Sequence, residues 1–209
     1  QSVYYSWAWK LSAEKKPIIF SVPSGNFGNL TGGLLANRMG LPIEKFIAAT
    51  NANDTFPHFL SSGTIQHQDA VQTISNAMDV GVPSNLDRIQ NLFHDDVNQV
   101  KVDIASWSFP DKDTKESIRN IQIDFGYLID PHTAVGVLGL NKYRHETNSE
   151  TKGVVLSTAH PGKFSDVIEP IIGNKTALPD SLQIAMKKEK NSIKMPKKFS
   201  DLKEYLLAV

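Results

Sequence analysis

The stretch Ser24-Gly-Asn-Phe-Gly-Asn29 holds residue types suited to gripping a single phosphate group. Two glycines, Gly25 and Gly28, let a backbone turn sharply and come close to a ligand. If a helix starts at once, its unpaired amides and its dipole converge on an anion. Ser24, Asn26 and Asn29 add side-chain donors for phosphate oxygens. No lysine follows the second glycine, as it would in the ATP-binding loop, and the G-x-G-x-x-G spacing of dinucleotide sites is absent. One phosphate therefore fits better than a diphosphate. The competing reading is a glycine turn that serves topology only.

Other polar clusters sit where the residue pattern ends a strand. Asn51-Ala-Asn-Asp54 follows an apolar run, on the rim where open α/β sheets bind ligands. Taken alone it reads as a helix cap for residues 55–60 rather than a substrate contact. Ser157-Thr-Ala-His-Pro161 follows another apolar run. A hydroxyl there could meet a cofactor ring, and His160 could act as an acid or base; alone, His160 reads as a structural histidine before a proline turn. Asp130-Pro-His-Thr-Ala134 has the capping Asp and first-turn Pro of a helix start, with His132 or Thr133 candidates to face a pocket.

These clusters need elements to hold them. Ile18–Val22 is a continuous apolar run of strand length, as expected of a parallel strand buried on both faces. A helix over 30–39, ended by Gly40, and a strand over 46–50 complete a βαβ unit. Further helices are expected over 1–14, 86–93, 113–122, 132–143, 165–172 (opened by a Ser-Asp cap) and 201–207. Strands are expected over 100–105 and 154–158. This alternation predicts an α/β fold with an open, mostly parallel sheet flanked by helices. Residues 1–175 form the α/β portion and 176–209 a lysine-rich helical extension.

The chain has 209 residues, enough for a large buried core. Lys plus Arg and Asp plus Glu each total 22, so the net charge is zero and nothing favours nucleic acid or an anionic membrane. With no cysteine there is neither a disulfide framework nor a thiolate metal site, and no metal ligand set is expected. No run reaches the ~18 apolar residues of a membrane span. The aromatic start lacks the layout of a signal peptide and reads as a cut inside a longer polypeptide, in the cytoplasm.

Several stretches, in order, resemble threonine synthases of the bacterial and fungal type. They are Val22-Pro-Ser-Gly-Asn-Phe-Gly-Asn29-Leu-Thr-Gly-Gly, Phe46-Ile-Ala-Ala-Thr-Asn-Ala-Asn-Asp54-Thr, Ser75-Asn-Ala-Met-Asp-Val80, Asp130-Pro-His-Thr-Ala-Val135 and Thr158-Ala-His-Pro-Gly-Lys-Phe164. The resemblance implies the C-terminal part of a two-domain enzyme of fold type II, dependent on pyridoxal 5'-phosphate (PLP). The implied reaction turns O-phospho-L-homoserine and water into L-threonine and phosphate. By position, Ser24, Gly25, Asn26, Phe27, Gly28 and Asn29 match the loop that holds the cofactor phosphate. Thr158 matches the hydroxyl at the pyridine nitrogen, and Asn51, Asn53 and Asp54 lie on the substrate side. The family's Schiff-base lysine, in a Phe-Lys-Asp-type motif, has no match here. It is expected upstream, so this chain alone is expected to be inactive and to need the N-terminal half of the same polypeptide, as a monomer or homodimer. Alternatives are another fold type II enzyme (a serine/threonine dehydratase or a cysteate synthase) and a non-catalytic phosphate- or PLP-binding module.

Overall fold

A computed structural model of the chain describes residues 1–13, 15–66 and 68–208. It divides into two compact units, Gln1–Thr176 and Ala177–Val209.

The first unit is built on a four-stranded sheet of β1 (Ile18–Pro23), β2 (Ile43–Thr50), β3 (Ile104–Ser108) and β4 (Gly153–Val155), in the order β3-β2-β1-β4. Every pairing is parallel. Every residue of β1 is buried, which is why its sequence runs apolar without alternating. Alternate residues still face opposite ways. Ile18, Phe20 and Val22 join Phe46 and Ala48 in the main core, while Ile19 and Ile47 pack with Leu140 and Val155 on the other face.

The main core is closed by α1 (Ser2–Leu11), α2 (Gly28–Arg38), α3 (Thr55–Ser62), α4 (Leu86–Leu92) and α5 (Val97–Asp103). Tyr5 of α1 is fully buried, with its ring edge-on to Phe20 at 4.9 Å and its hydroxyl donating to the Asn29 carbonyl at 2.6 Å. The opposite face carries α7 (Pro131–Thr147), backed by α6 (Asp111–Phe125) and α8 (Ser165–Ile172). Helix α7 lies close against the sheet: a Cβ on Gly139 would fall 2.8 Å from Ala49 Cβ and 3.0 Å from Ile47 Cγ2. The Ser21 hydroxyl spends its donor on the Gly136 carbonyl at 2.6 Å, which satisfies a hydroxyl buried in the sheet.

The expected elements are present, with changes at their edges. The strand expected over 100–105 is helix to Asp103 and strand only from Ile104. Asp96 caps α5 by accepting from the Asn98 and Gln99 amides. That cap overrides the apparent alternation of Val100, Val102 and Ile104, and leaves Val102 exposed. The last strand is shorter than 154–158, ending at Val155. Ser165 does not cap α8; its hydroxyl donates to the Gly162 carbonyl, and a short 3-10 turn, Pro161–Phe164, leads straight into the helix. Glu14, the end of the first expected helix, lies outside the described residues.

The second unit holds α9 (Asp180–Met186) and α10 (Phe199–Ala208). Neither helix has a buried residue. No helix among the described residues is long and apolar enough to cross a membrane.

Candidate active site

From β1 the chain passes through α2 to β2 on one side, whereas β4 pairs on the other side of β1. The carboxyl ends of β1 and β4 therefore flank a topological switch point, where open α/β sheets leave a crevice. A cavity of about 750 Å³ opens there. Pro23, Gly25–Asn29 and Leu156–Thr158 line it from the strand ends, and Gln1, Tyr4, Ala77, Met78, Asn85 and His132 complete the lining.

The glycine loop is a backbone cup braced by its own side chains. Phe27 takes a left-handed conformation (φ 58°) just before α2 and packs its ring on Phe56 at 4.7 Å. The Ser24 hydroxyl donates to Asn29 Oδ1 at 3.1 Å, and Asn29 Nδ2 donates to the Pro23 carbonyl at 2.8 Å. Asn29 Oδ1 also accepts from the Leu30 amide at 2.9 Å. Asn26 Oδ1 accepts from the Ser84 amide at 2.6 Å. Ser24 and Asn29 are thus engaged within the protein, because short polar chains near backbone groups satisfy those first, while Asn26 spends only its oxygen and keeps its Nδ2 donors without a protein acceptor among the described residues. The backbone stays free as well. Among the described residues the amides of Gly25 through Asn29 meet no protein acceptor, as expected of a loop that runs into a helix start.

Gly25 is required by a close approach. A Cβ there would lie 2.5 Å from Met78 Cα. The segment carrying Met78 is pinned from two sides. On one, the Ala77 amide donates to His132 Nε2 at 3.2 Å. Nε2 is then the acceptor, so Nδ1 carries the proton and donates to Asp130 Oδ1 at 2.8 Å. Asp130 is buried and also caps α7 by accepting from the His132 amide at 2.9 Å. Thr133 adds its hydroxyl to Asp130 and reaches Ser157 Oγ at 3.3 Å.

On the other side stand Asn51 and Asn53. The Asn51 amide group donates to Thr73 Oγ1 at 2.7 Å and Asp79 Oδ1 at 2.8 Å. Asn53 Nδ2 donates to the Val71 carbonyl at 2.9 Å, and its Oδ1 accepts from the Val71 amide at 2.8 Å. Both are buried in this network and neither lines the cavity. Asp54 sits at the N-cap position of α3 but makes no side-chain cap bond. Thr158 does line the cavity. His160 turns away into its own loop, where Nδ1 accepts from the Gly162 amide at 3.0 Å. Reading the sequence missed Ala77, Met78 and Asn85, which reach the cavity only through long-range packing. No lysine lines the cavity among the described residues.

A family model described as "Threonine synthase, C-terminal" matches residues 133–206. Over 195 residues the chain is 40% identical to the threonine synthase of Serratia marcescens, covering 93% of this chain and 44% of that protein. The crystal structure of threonine synthase from Escherichia coli superposes with a TM-score of 0.83 at 37% identity, over 95% of this chain and 46% of that one. The chain matches the C-terminal half of threonine synthases. A PLP-bound threonine synthase from Brucella melitensis superposes with a TM-score of 0.85 at 31% identity, over 98% of this chain and 49% of that one. The chain spans about half the length of the curated relatives it matches, between 44% and 48% of the first six. Its parallel sheet is that of fold type II. A serine racemase from Dictyostelium discoideum, 17% identical with a TM-score of 0.58, shares that fold.

Proposed function

We propose that this chain forms the cofactor-cradling half of a threonine synthase, which converts O-phospho-L-homoserine and water to L-threonine and phosphate. The observation that carries the reading is the cup of free amides at the start of α2, lining the same switch-point cavity as Thr158. The chain's similarity to a PLP-bound threonine synthase supports the choice of cofactor.

The residues present fit PLP. A phosphate on the amides of Gly25–Asn29 would give those groups the acceptors they lack, and the positive end of α2 favours its charge. The cavity has the size of a site for a small organic ligand. When bound, PLP supplies the electron sink for carbanions formed from the substrate. Thr158 would offer the ring nitrogen a neutral hydroxyl where the lining holds no carboxylate, which would moderate that sink. Both nitrogens of His132 are already engaged, Nδ1 with Asp130 and Nε2 with Ala77, so it braces the wall and moves no proton. Asn51, Asn53 and Asp79 hold the 71–79 segment that shapes the substrate side of the cavity.

The anchoring lysine and the proton shuttle come from the part of the enzyme outside this chain, and the chain alone is inactive. Residues 1–175 serve as a portion of the PLP-binding domain and 176–209 as a helical extension. Val3, Tyr4, Trp7 and Leu11 form an exposed apolar face on α1, beside a cavity that Tyr4 itself lines. The other half of the enzyme covers that face. The whole protein works in the cytoplasm on free small molecules, as a monomer or homodimer. The test is an assay of the whole protein with PLP and O-phospho-L-homoserine. Equal release of phosphate and threonine supports the reading, and bound cofactor without either product overturns it.

A further inference from the structure

Asn85 stands at the edge of the cup without belonging to the glycine loop. Its Nδ2 donates to the Asn26 carbonyl at 2.8 Å, and its Oδ1 accepts from Arg88 Nη1 at 2.8 Å. A guanidinium has only donors, so Arg88 fixes which way the Asn85 amide faces: oxygen to Arg88, nitrogen to the loop. Ser84 adds its amide and hydroxyl to Asn26 Oδ1, at 2.6 and 3.1 Å. Residue 26 is therefore held by its side chain and its carbonyl together.

That grip has a consequence for the next amide. In a trans peptide the carbonyl of residue 26 and the N–H of residue 27 point in opposite directions. Pulling the Asn26 carbonyl toward Asn85 turns the Phe27 N–H away from it, and that amide has no protein acceptor among the described residues. Asn85 also flanks the next position, with Nδ2 3.5 Å from where a Cβ of Gly28 would stand.

We propose that Asn85, oriented by Arg88, is a positioning residue that aims the Phe27 amide at the cofactor phosphate. This rests on the PLP reading above. Without Asn85 the carbonyl of residue 26 loses its anchor, so the peptide between residues 26 and 27 is held less firmly and its charge-assisted amide contact is weakened. A hydrogen bond to a charged group corresponds to about a tenfold change in affinity or more.

The experiment compares Asn85→Ala, Asn85→Asp and Arg88→Met with the wild type in the whole protein. Binding of PLP, inorganic phosphate and pyridoxal, which lacks the phosphate, is measured by titration, alongside thermal melting. N85A is expected to weaken PLP and phosphate about tenfold and leave pyridoxal unchanged. R88M is expected to weaken both by about threefold, because it only loosens Asn85. If N85A does not fold, N85D carries the test, since it keeps the shape and the Arg88 partner but sets an oxygen against the Asn26 carbonyl. Affinity for PLP within about threefold of wild type in N85A, or equal losses for PLP and pyridoxal, overturns the proposal and leaves the function standing. A wild type that binds neither PLP nor phosphate overturns both.

Discussion

Replacing Gly25 by alanine tests the cup where its geometry is tightest. The new Cβ would stand 2.5 Å from Met78 Cα and 3.0 Å from both Met78 C and O. These are backbone atoms, so no rotamer change relieves the overlap. Met78 cannot retreat freely either. Its amide donates to the Ser75 carbonyl at 2.9 Å, its carbonyl accepts from the Val80 amide at 2.9 Å, and the preceding amide is held on His132. Overpacking of this kind costs roughly 1–3 kcal/mol, and stretching one of these hydrogen bonds to make room adds about 1 kcal/mol. The sum, about 2–4 kcal/mol, lowers the melting temperature by roughly 5–15 °C for a chain of this size. Gly28→Ala is the control. Its Cβ would meet only Asn85 Nδ2, at an ordinary 3.5 Å, and its φ is not positive. Stability should therefore be unchanged or slightly raised, while PLP binding falls because the methyl group intrudes on the cup. Thermal melting and PLP titration of both variants separate the two effects. A Gly25→Ala chain that melts within a degree or two of wild type would refute the contact argument.

Further outcomes follow from other contacts. His132→Ala leaves the Asp130 carboxylate buried with fewer donors and frees the Ala77 amide, so urea unfolding should report a loss of about 2–4 kcal/mol; a loss below about 1 kcal/mol would mean His132 is not the brace. Burial holds the Tyr5 phenol protonated well above its ordinary pKa of 10.0. A group whose folded pKa is raised contributes stability that is present below its unfolded pKa and lost as pH rises toward the folded value. Stability should therefore fall above about pH 10, with a shallower fall in Tyr5→Phe; identical alkaline profiles would sink this. The 209-residue chain, given PLP and then borohydride, should show no cofactor label on any of its lysines by mass spectrometry. A label on one of them would place the anchor inside this chain.

The parts of the fold legible in the sequence are those coded by neighbours. β1 was visible because a strand buried on both faces must be apolar throughout. The start of α7 was visible because Asp130 and Pro131 act on the very next amides. The stretch 100–105 misled because alternating valines satisfy a strand pattern, while the deciding residue, the cap Asp96, lies before it.

The candidate site divides along the same line. Its floor is local: glycines between a strand and a helix predict converging amides whatever the side chains do. Its walls are not. Ala77 meets His132 across 55 positions of sequence, and Asn85 meets Asn26 across 59. No pattern within a window of ordinary length pairs such residues. The side chains of Ser24 and Asn29 illustrate the cost of judging by type alone: both are able donors to a phosphate, yet the structure uses them to hold the loop. The anion site is left mainly to backbone amides, which every residue except proline carries, with the free Asn26 Nδ2 beside them. Residue identity in this cup therefore encodes the aim of the amides rather than the contacts themselves, and it is in the bracing partners, Asn85 foremost, that substitutions should be felt.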